Sequence, residues 1–189
     1  MKKKILSLIV LISIMFLPIG IVNADEYFNA NENISDNSYY EHSHFEAGNN
    51  VNSRNNVNGL SFVAGANVEV SGLKEYSFVA GETVNISGNV EKDLFAAGNN
   101  VRLTNTASVR RDVYIAGNSV NIESDINGAA FIGGSLITLN NITINGDVSI
   151  AANTVQIDGD VIINGKLKIN DDAIINNENN LKVSNKETY

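Results

Sequence analysis

One five-residue phrase, an aromatic or apolar pair closed by "AG", recurs along most of the chain and limits what it can fold into. "SFVAG" occurs at Ser61–Gly65 and again at Ser77–Gly81, and "LFAAG", "VYIAG" and "AFIGG" follow at Leu94–Gly98, Val113–Gly117 and Ala130–Gly134. The closing glycines are Gly48, Gly65, Gly81, Gly98, Gly117 and Gly134, with Ala152 in the equivalent place, at spacings of 17, 16, 17, 19, 17 and 18 residues. Three positions after each marker an apolar–polar–apolar triplet begins: "VEV" at Val68–Val70, "VNI" at Val84–Ile86, "VRL" at Val101–Leu103, "VNI" at Val120–Ile122, "ITL" at Ile137–Leu139 and "VQI" at Val155–Ile157. A second apolar point follows at Leu73, Val90, Val109, Ile126, Ile142 and Val161. Alternation of period two, broken by Gly, Asn, Asp and Ser, describes short strands joined by corners. No 3.6-residue apolar period occurs after residue 24. A unit of this size cannot bury its own apolar face, but stacked units can. The expected fold is all-β: a single-stranded β-solenoid of about seven rungs, each of ~17 residues, stacked ~4.8 Å apart.

The first 24 residues stand apart. Lys2, Lys3 and Lys4 precede an apolar run from Ile5 to Leu17, and "VNA" at Val22–Ala24 offers small residues where a signal peptidase reads. This pattern predicts a secretory signal peptide over 1–24 and an exported protein of the cell envelope or extracellular space. If the segment is not cleaved, it is a membrane anchor. Residues 25–44 are polar and without period, and are expected to form a flexible lead-in. The β-helix is expected over 45–175 and a polar, frayed tail over 176–189. Phe45, Ala47, Gly48 and Val51 keep the repeat, whereas Glu46 and Ser53 stand where apolar residues belong, as in a polar terminal cap.

Charge and composition narrow the function. The 13 basic residues, less the three lysines of the leader, leave 10 against 21 acidic ones. Such a balance argues against nucleic acid and anionic lipid as partners. The chain has no cysteine, so no disulfide or thiolate site is available.

The march of "FVAGETVNISGNV", "LFAAGNNVRL", "VYIAGNSVNI" and "AFIGGSLITLNNITINGDV" resembles the bactofilin-like, polymer-forming repeat over Phe45 to Ile169. The resemblance implies a right-handed β-helix of triangular section that assembles end to end into nucleotide-free filaments, without enzymatic activity and without a cofactor. Phe45, Val51, Leu167 and Ile169 are then candidates for the end-to-end contacts. The chain departs from the family's cytoskeletal members by its leader.

Other candidate sites are weaker. Phe62, Phe78, Phe95, Tyr114 and Phe131 share one unit position and should stack as a ladder. The preferred expectation points them into the core, with Ala64, Ala80, Ala97, Ala116 and Gly133 making room. The alternative points Val63, Val79, Ile115, Ile132 and Ile150 inward and leaves the rings outside for lateral assembly, an envelope glycan or a membrane-associated partner. His42 and His44, near Glu41 and Glu46, alternate as strand-borne metal ligands would, but in a segment expected to be solvated; no metal is expected. Asp147, Asp158, Asp160, Asp171 and Asp172 read as turn chemistry beside glycine rather than a calcium or glycosidase site. Arg110 and Arg111 are expected to pair with Asp112 or Glu91. Asn49, Asn99, Asn118 and Asn153 suit the stacked corners. No nucleophile elbow, phosphate loop or zinc-hydrolase motif is present. The rival functions are an adhesin-like or carbohydrate-binding β-helix using the aromatic ladder and, further off, a polysaccharide-acting enzyme.

Overall fold

The computed structural model describes residues 28–189; the expected signal segment, 1–24, lies outside them. The described chain is a β-solenoid of about nine turns, nearly all strand. Fourteen strands follow one another: β1 (Phe28–Ala30), β2 (Asn33–Asp36), β3 (Tyr39–Tyr40), β4 (His44–Ser53), β5 (Asn56–Val70), β6 (Leu73–Ile86), β7 (Asn89–Val90), β8 (Leu94–Leu103), β9 (Ser108–Val109), β10 (Val113–Ile122), β11 (Ala130–Ile144), β12 (Val148–Ile169), β13 (Ile174–Asn176) and β14 (Leu181–Thr188). Every pairing is parallel, and the main path runs β1-β4-β5-β6-β8-β10-β11-β12-β13.

The register explains the repeat. Gly48, Gly65, Gly81, Gly98, Gly117, Gly134 and Ala152 form one column, each paired with its counterpart on the next rung. A Cβ added at Gly81 would stand 2.7 Å from the Gly65 carbonyl oxygen, and one at Gly98 would stand 2.6 Å from that of Gly81. The chain turns at this corner so tightly that the rung beneath leaves no space for a side chain. Where Ala152 ends the column, an Asn side chain replaces the next rung. The Ala152 N–H donates to Asn170 Oδ1 at 2.8 Å, and Asn170 Nδ2 donates to the Ala152 carbonyl at 2.9 Å.

The core is a set of parallel columns. Val68, Val84, Val101, Val120, Ile137 and Val155 form one, and Val70, Ile86, Leu103, Ile122, Leu139 and Ile157 another; all are buried. Apolar side chains stacked at strand spacing exclude water along the whole axis, which is what holds such short strands together. Asparagines line some corners in the same manner. Asn67 Nδ2 donates to Asn50 Oδ1 at 2.9 Å and Asn50 Nδ2 to Asn33 Oδ1 at 2.7 Å.

The solenoid is longer at both ends than the sequence suggests. The segment read as a flexible lead-in forms β1, β2 and β3, with Phe28 in register with Phe45, Ile34 with Val51 and Tyr40 with Val57. The segment read as a frayed tail forms β14, which pairs with β12 from Val161↔Leu181 to Ile169↔Thr188. Residue types hid both rungs: Phe28, Tyr39 and Ile174 are exposed, Asp36 takes an inward place, and little of the apolar alternation survives. Phe45, Val51, Leu167 and Ile169 therefore lie within the stack, not at its ends. Val51, Leu167 and Ile169 are buried core residues, and the Phe45 ring stacks on Phe62.

Candidate functional site

Two features depart from a uniform apolar rod: a strip of aromatic rings outside it and a polar chamber inside it.

The strip arises from strand alternation. Val63, Val79, Ala96, Ile115, Ile132 and Ile150 point inward and are no more than 4 % exposed. Their neighbours Phe62, Phe78, Phe95, Tyr114 and Phe131 therefore point outward, against the expectation that these rings fill the core. Phe45 joins them, and successive ring centroids lie 4.6–4.9 Å apart with planes within 11° of parallel. Beside the rings, on the same outward face, run Ala47, Ala64, Ala80, Ala97, Ala116 and Gly133. Ridge and small-residue floor together make an apolar groove of about 570 Å³. The ladder stops after Phe131, where Ser149 holds the next register position. Ring-on-ring stacking covers the faces of the interior rings, so the groove offers ring edges to a partner. A sugar stacks on an exposed aromatic face, and this surface withholds those faces.

The chamber occupies the first rungs. There the inward columns are polar: His44, Ser61 and Ser77 form one, and Glu46 heads the column that continues as Val63 and Val79. Lys74 takes the inward place that Val90 holds on the next rung and is wholly buried, whereas Leu73, expected in the core, is exposed. Glu46 and Ser53 are thus not a worn cap but part of an interior cluster with a complete rung below them.

The cluster is wired through Asp36. Its carboxylate accepts from Tyr40 OH at 2.7 Å, from the Ser38 N–H at 3.0 Å and from Asn55 Nδ2 at 3.2 Å. Burial pushes the Asp36 carboxyl up, but the bonds from Tyr40, Ser38 and Asn55 outweigh it and hold it at about 2. The same burial, with the bond to Asp36, raises the Tyr40 hydroxyl to about 12. Tyr40 also stacks on the His44 ring, centroids 3.6 Å apart. His44 Nε2 stands 3.6 Å from Asp36 Oδ2. His44, expected in solvent, is 1 % exposed; His42 is at the surface. Lys74 Nζ donates to the Asn55 carbonyl, to Asn55 Oδ1 and, at 2.9 Å, to the Ser71 carbonyl. Burial lowers its ammonium to about 8, opposed by Glu46 and Asp36.

Glu46 is the exception in this network. It is 2 % exposed, and neither carboxylate oxygen has a hydrogen-bond partner. Ser53 is near enough to favour the ionised form, but its hydroxyl donates to Asn55 Oδ1 at 3.2 Å. Burial raises the Glu46 carboxyl above the usual range. Donor atoms of Asp36, His44 and Glu46 all lie within 4.8 Å of one another. The sequence held a trace of this cluster, since Glu46 and Ser53 broke the apolar pattern. It did not show that Asp36, 10 residues before Glu46, and Lys74, 28 residues after it, turn into the same chamber.

The remaining candidates are dispersed. Arg110 pairs with Glu91 at 2.8 Å, as expected, while Arg111 meets Asp93 at 3.4 Å rather than Asp112. Asp147 Oδ1 accepts from the Lys166 N–H and Asp160 from Lys182, so these carboxylates serve corners and surface pairs. Among the described residues no helix is long and apolar enough to cross a membrane. Comparison with family models, with curated proteins and with solved structures gives no match.

Proposed function

We propose that the chain is a non-enzymatic structural module of the cell envelope, a bactofilin-like β-solenoid exported behind its basic and apolar leader, that assembles end to end with further copies of itself. The observation that carries this reading is the strand edge at each described end. Among the described residues β1, β2 and β3 pair on one side only, with β4 and β5, and β13 and β14 pair on one side only, with β12. Parallel edges of matching rung geometry offer unpaired N–H and C=O groups to another copy. A head-to-tail contact of that kind does not close on itself, so it propagates into a filament. With Phe45, Val51, Leu167 and Ile169 inside the stack, the contacts fall to residues 28–40 and 174–188.

The test is electron microscopy and sedimentation of the purified protein over a range of concentration and salt, with proline placed at Lys182 or at Val183, one at a time. Adjacent strand residues turn their N–H groups to opposite sides. One of the two prolines therefore removes an outward donor while sparing the pairing to β12. Filaments that this one variant abolishes are expected. Wild-type protein that stays monomeric throughout would sink the reading.

The outward ladder favours a second, compatible contact: lateral pairing of copies through the aromatic groove. Its ridge and floor share one repeat, so the ridge of one copy fits the floor of another. Phe62→Ser with Phe95→Ser should then thin bundled filaments to single ones without shortening them. Unchanged width would remove the lateral contact.

A further inference from the structure

We propose that Asp36, His44 and Glu46 form a buried site for one divalent transition-metal ion of the zinc class, coordinated by His44 Nε2 and by one oxygen from each carboxylate. Two independent observations carry it. The first is geometric. His44 Nε2 and Asp36 Oδ2 stand 3.6 Å apart, and all three donors lie within 4.8 Å of one another. A tetrahedral zinc centre, with bonds of ~2.0–2.1 Å, holds its donors about 3.3 Å apart, so a small rotation of the Glu46 side chain closes the set. The second is the Glu46 carboxylate itself. A buried carboxylate with both oxygens unpartnered is costly, and a cation bound through one of them offsets the charge the two share.

The surroundings are those of a built site. The Tyr40 hydroxyl and the Ser38 N–H fix the Asp36 carboxylate, and the Tyr40 ring packs flat on the imidazole, so two of the three donors are held before the ion arrives. Lys74 is the one cation facing the chamber in the network described, and Asn55 and the Ser71 carbonyl hold its ammonium. Two carboxylates against one ammonium leave a net negative charge for the metal to meet. One imidazole and two carboxylates suit zinc or cobalt better than magnesium or calcium, which take oxygen ligands throughout. Because the donors come from β2 and β4, the ion would fasten the first rung of the solenoid to the second.

The experiment uses the full chain, freed of metal by a chelator and dialysed, then titrated with Co²⁺ and with Zn²⁺. The expected result is one equivalent of Co²⁺ giving the visible absorption of a low-coordinate site, displaced by Zn²⁺. Glu46→Gln should weaken binding at least 100-fold, and His42→Ala should leave it unchanged. A folded wild-type protein that takes up neither ion stoichiometrically overturns the proposal. So does undiminished binding by Glu46→Gln, or loss of binding in His42→Ala. Should Glu46→Gln fail to fold, X-ray absorption of the zinc-loaded wild type decides. One imidazole nitrogen among oxygen donors supports the site, and two imidazoles or none overturn it.

Discussion

Lys74 carries the sharpest test at the scale of one residue. Its ammonium is buried at about 8 in the fold, whereas the unfolded chain holds that proton to 10.5. Between those values the unfolded state binds more protons, so folding gains stability as pH rises from about 8 to 10.5. A fully buried group with this shift contributes up to ~3 kcal/mol across the window. Denaturant titrations in the presence of chelator should show that gain in the wild type and a flat profile in Lys74→Met. Parallel profiles would mean that Lys74 is solvated in both states. The residue is also a measure of what a sequence conceals. "GLKE" offers Leu73 as the obvious core residue, yet the strand turns Leu73 outward and Lys74 in. A one-residue slip in a two-residue period exchanges the faces, and the chain admits Lys74 here because Asn55 and the Ser71 carbonyl satisfy its ammonium.

Among the rungs, the recurring glycine and the small residue before it have opposite tolerances. Gly98→Ala drives a Cβ to 2.6 Å from the Gly81 carbonyl and should cost about 1–3 kcal/mol. Gly133 belongs to the outward column of Ala116 and Ala151, and a Cβ there meets nothing within 4 Å. Gly133→Ala should be neutral or stabilise by about 0.4–1 kcal/mol, through the unfolded chain's lost freedom. Thermal melts of the two variants check both, and equal costs would contradict the corner geometry. The repeat made this corner visible in the sequence, because a steric demand met on every rung is written on every rung. Ring orientation was not visible in the same way. "FVAG" alternates large with large, so Phe and Val fit the inward position equally by pattern. The small residues two places on, Ala64, Ala80, Ala97, Ala116 and Gly133, suit an inward ring that needs room at a corner as well as an outward ring beside a groove floor.

The whole molecule has two unequal halves. From Leu94 to Ile169 the inward columns are apolar almost throughout, whereas the rungs before Ser77 enclose Asp36, His44, Glu46, Asn55 and Lys74. In a stack where each rung touches only its neighbours, stability is local and adds along the axis. Amide hydrogen exchange should therefore show the slowest amides within 94–169 and faster exchange across 28–77 in the metal-free protein. Uniform protection along the axis would show instead that the rod unfolds as one unit. Zinc should slow exchange in β2 and β4 if the chamber binds it.

By itself the sequence determined the solenoid, its stacking and the two apolar columns that follow the glycine corner, those of Val68 to Val155 and of Val70 to Ile157. Those features repeat, and a periodic constraint leaves a periodic trace. Tertiary structure decided the number of rungs, the outward face of the aromatic ladder and the gathering of Asp36, His44, Glu46 and Lys74. The terminal rungs borrow their order from backbone pairing with a well-formed neighbour, so their own side chains need not keep the pattern. The polar chamber occurs once, from residues as far as 38 positions apart in the chain. Only the stacking of one turn on the next brings them together.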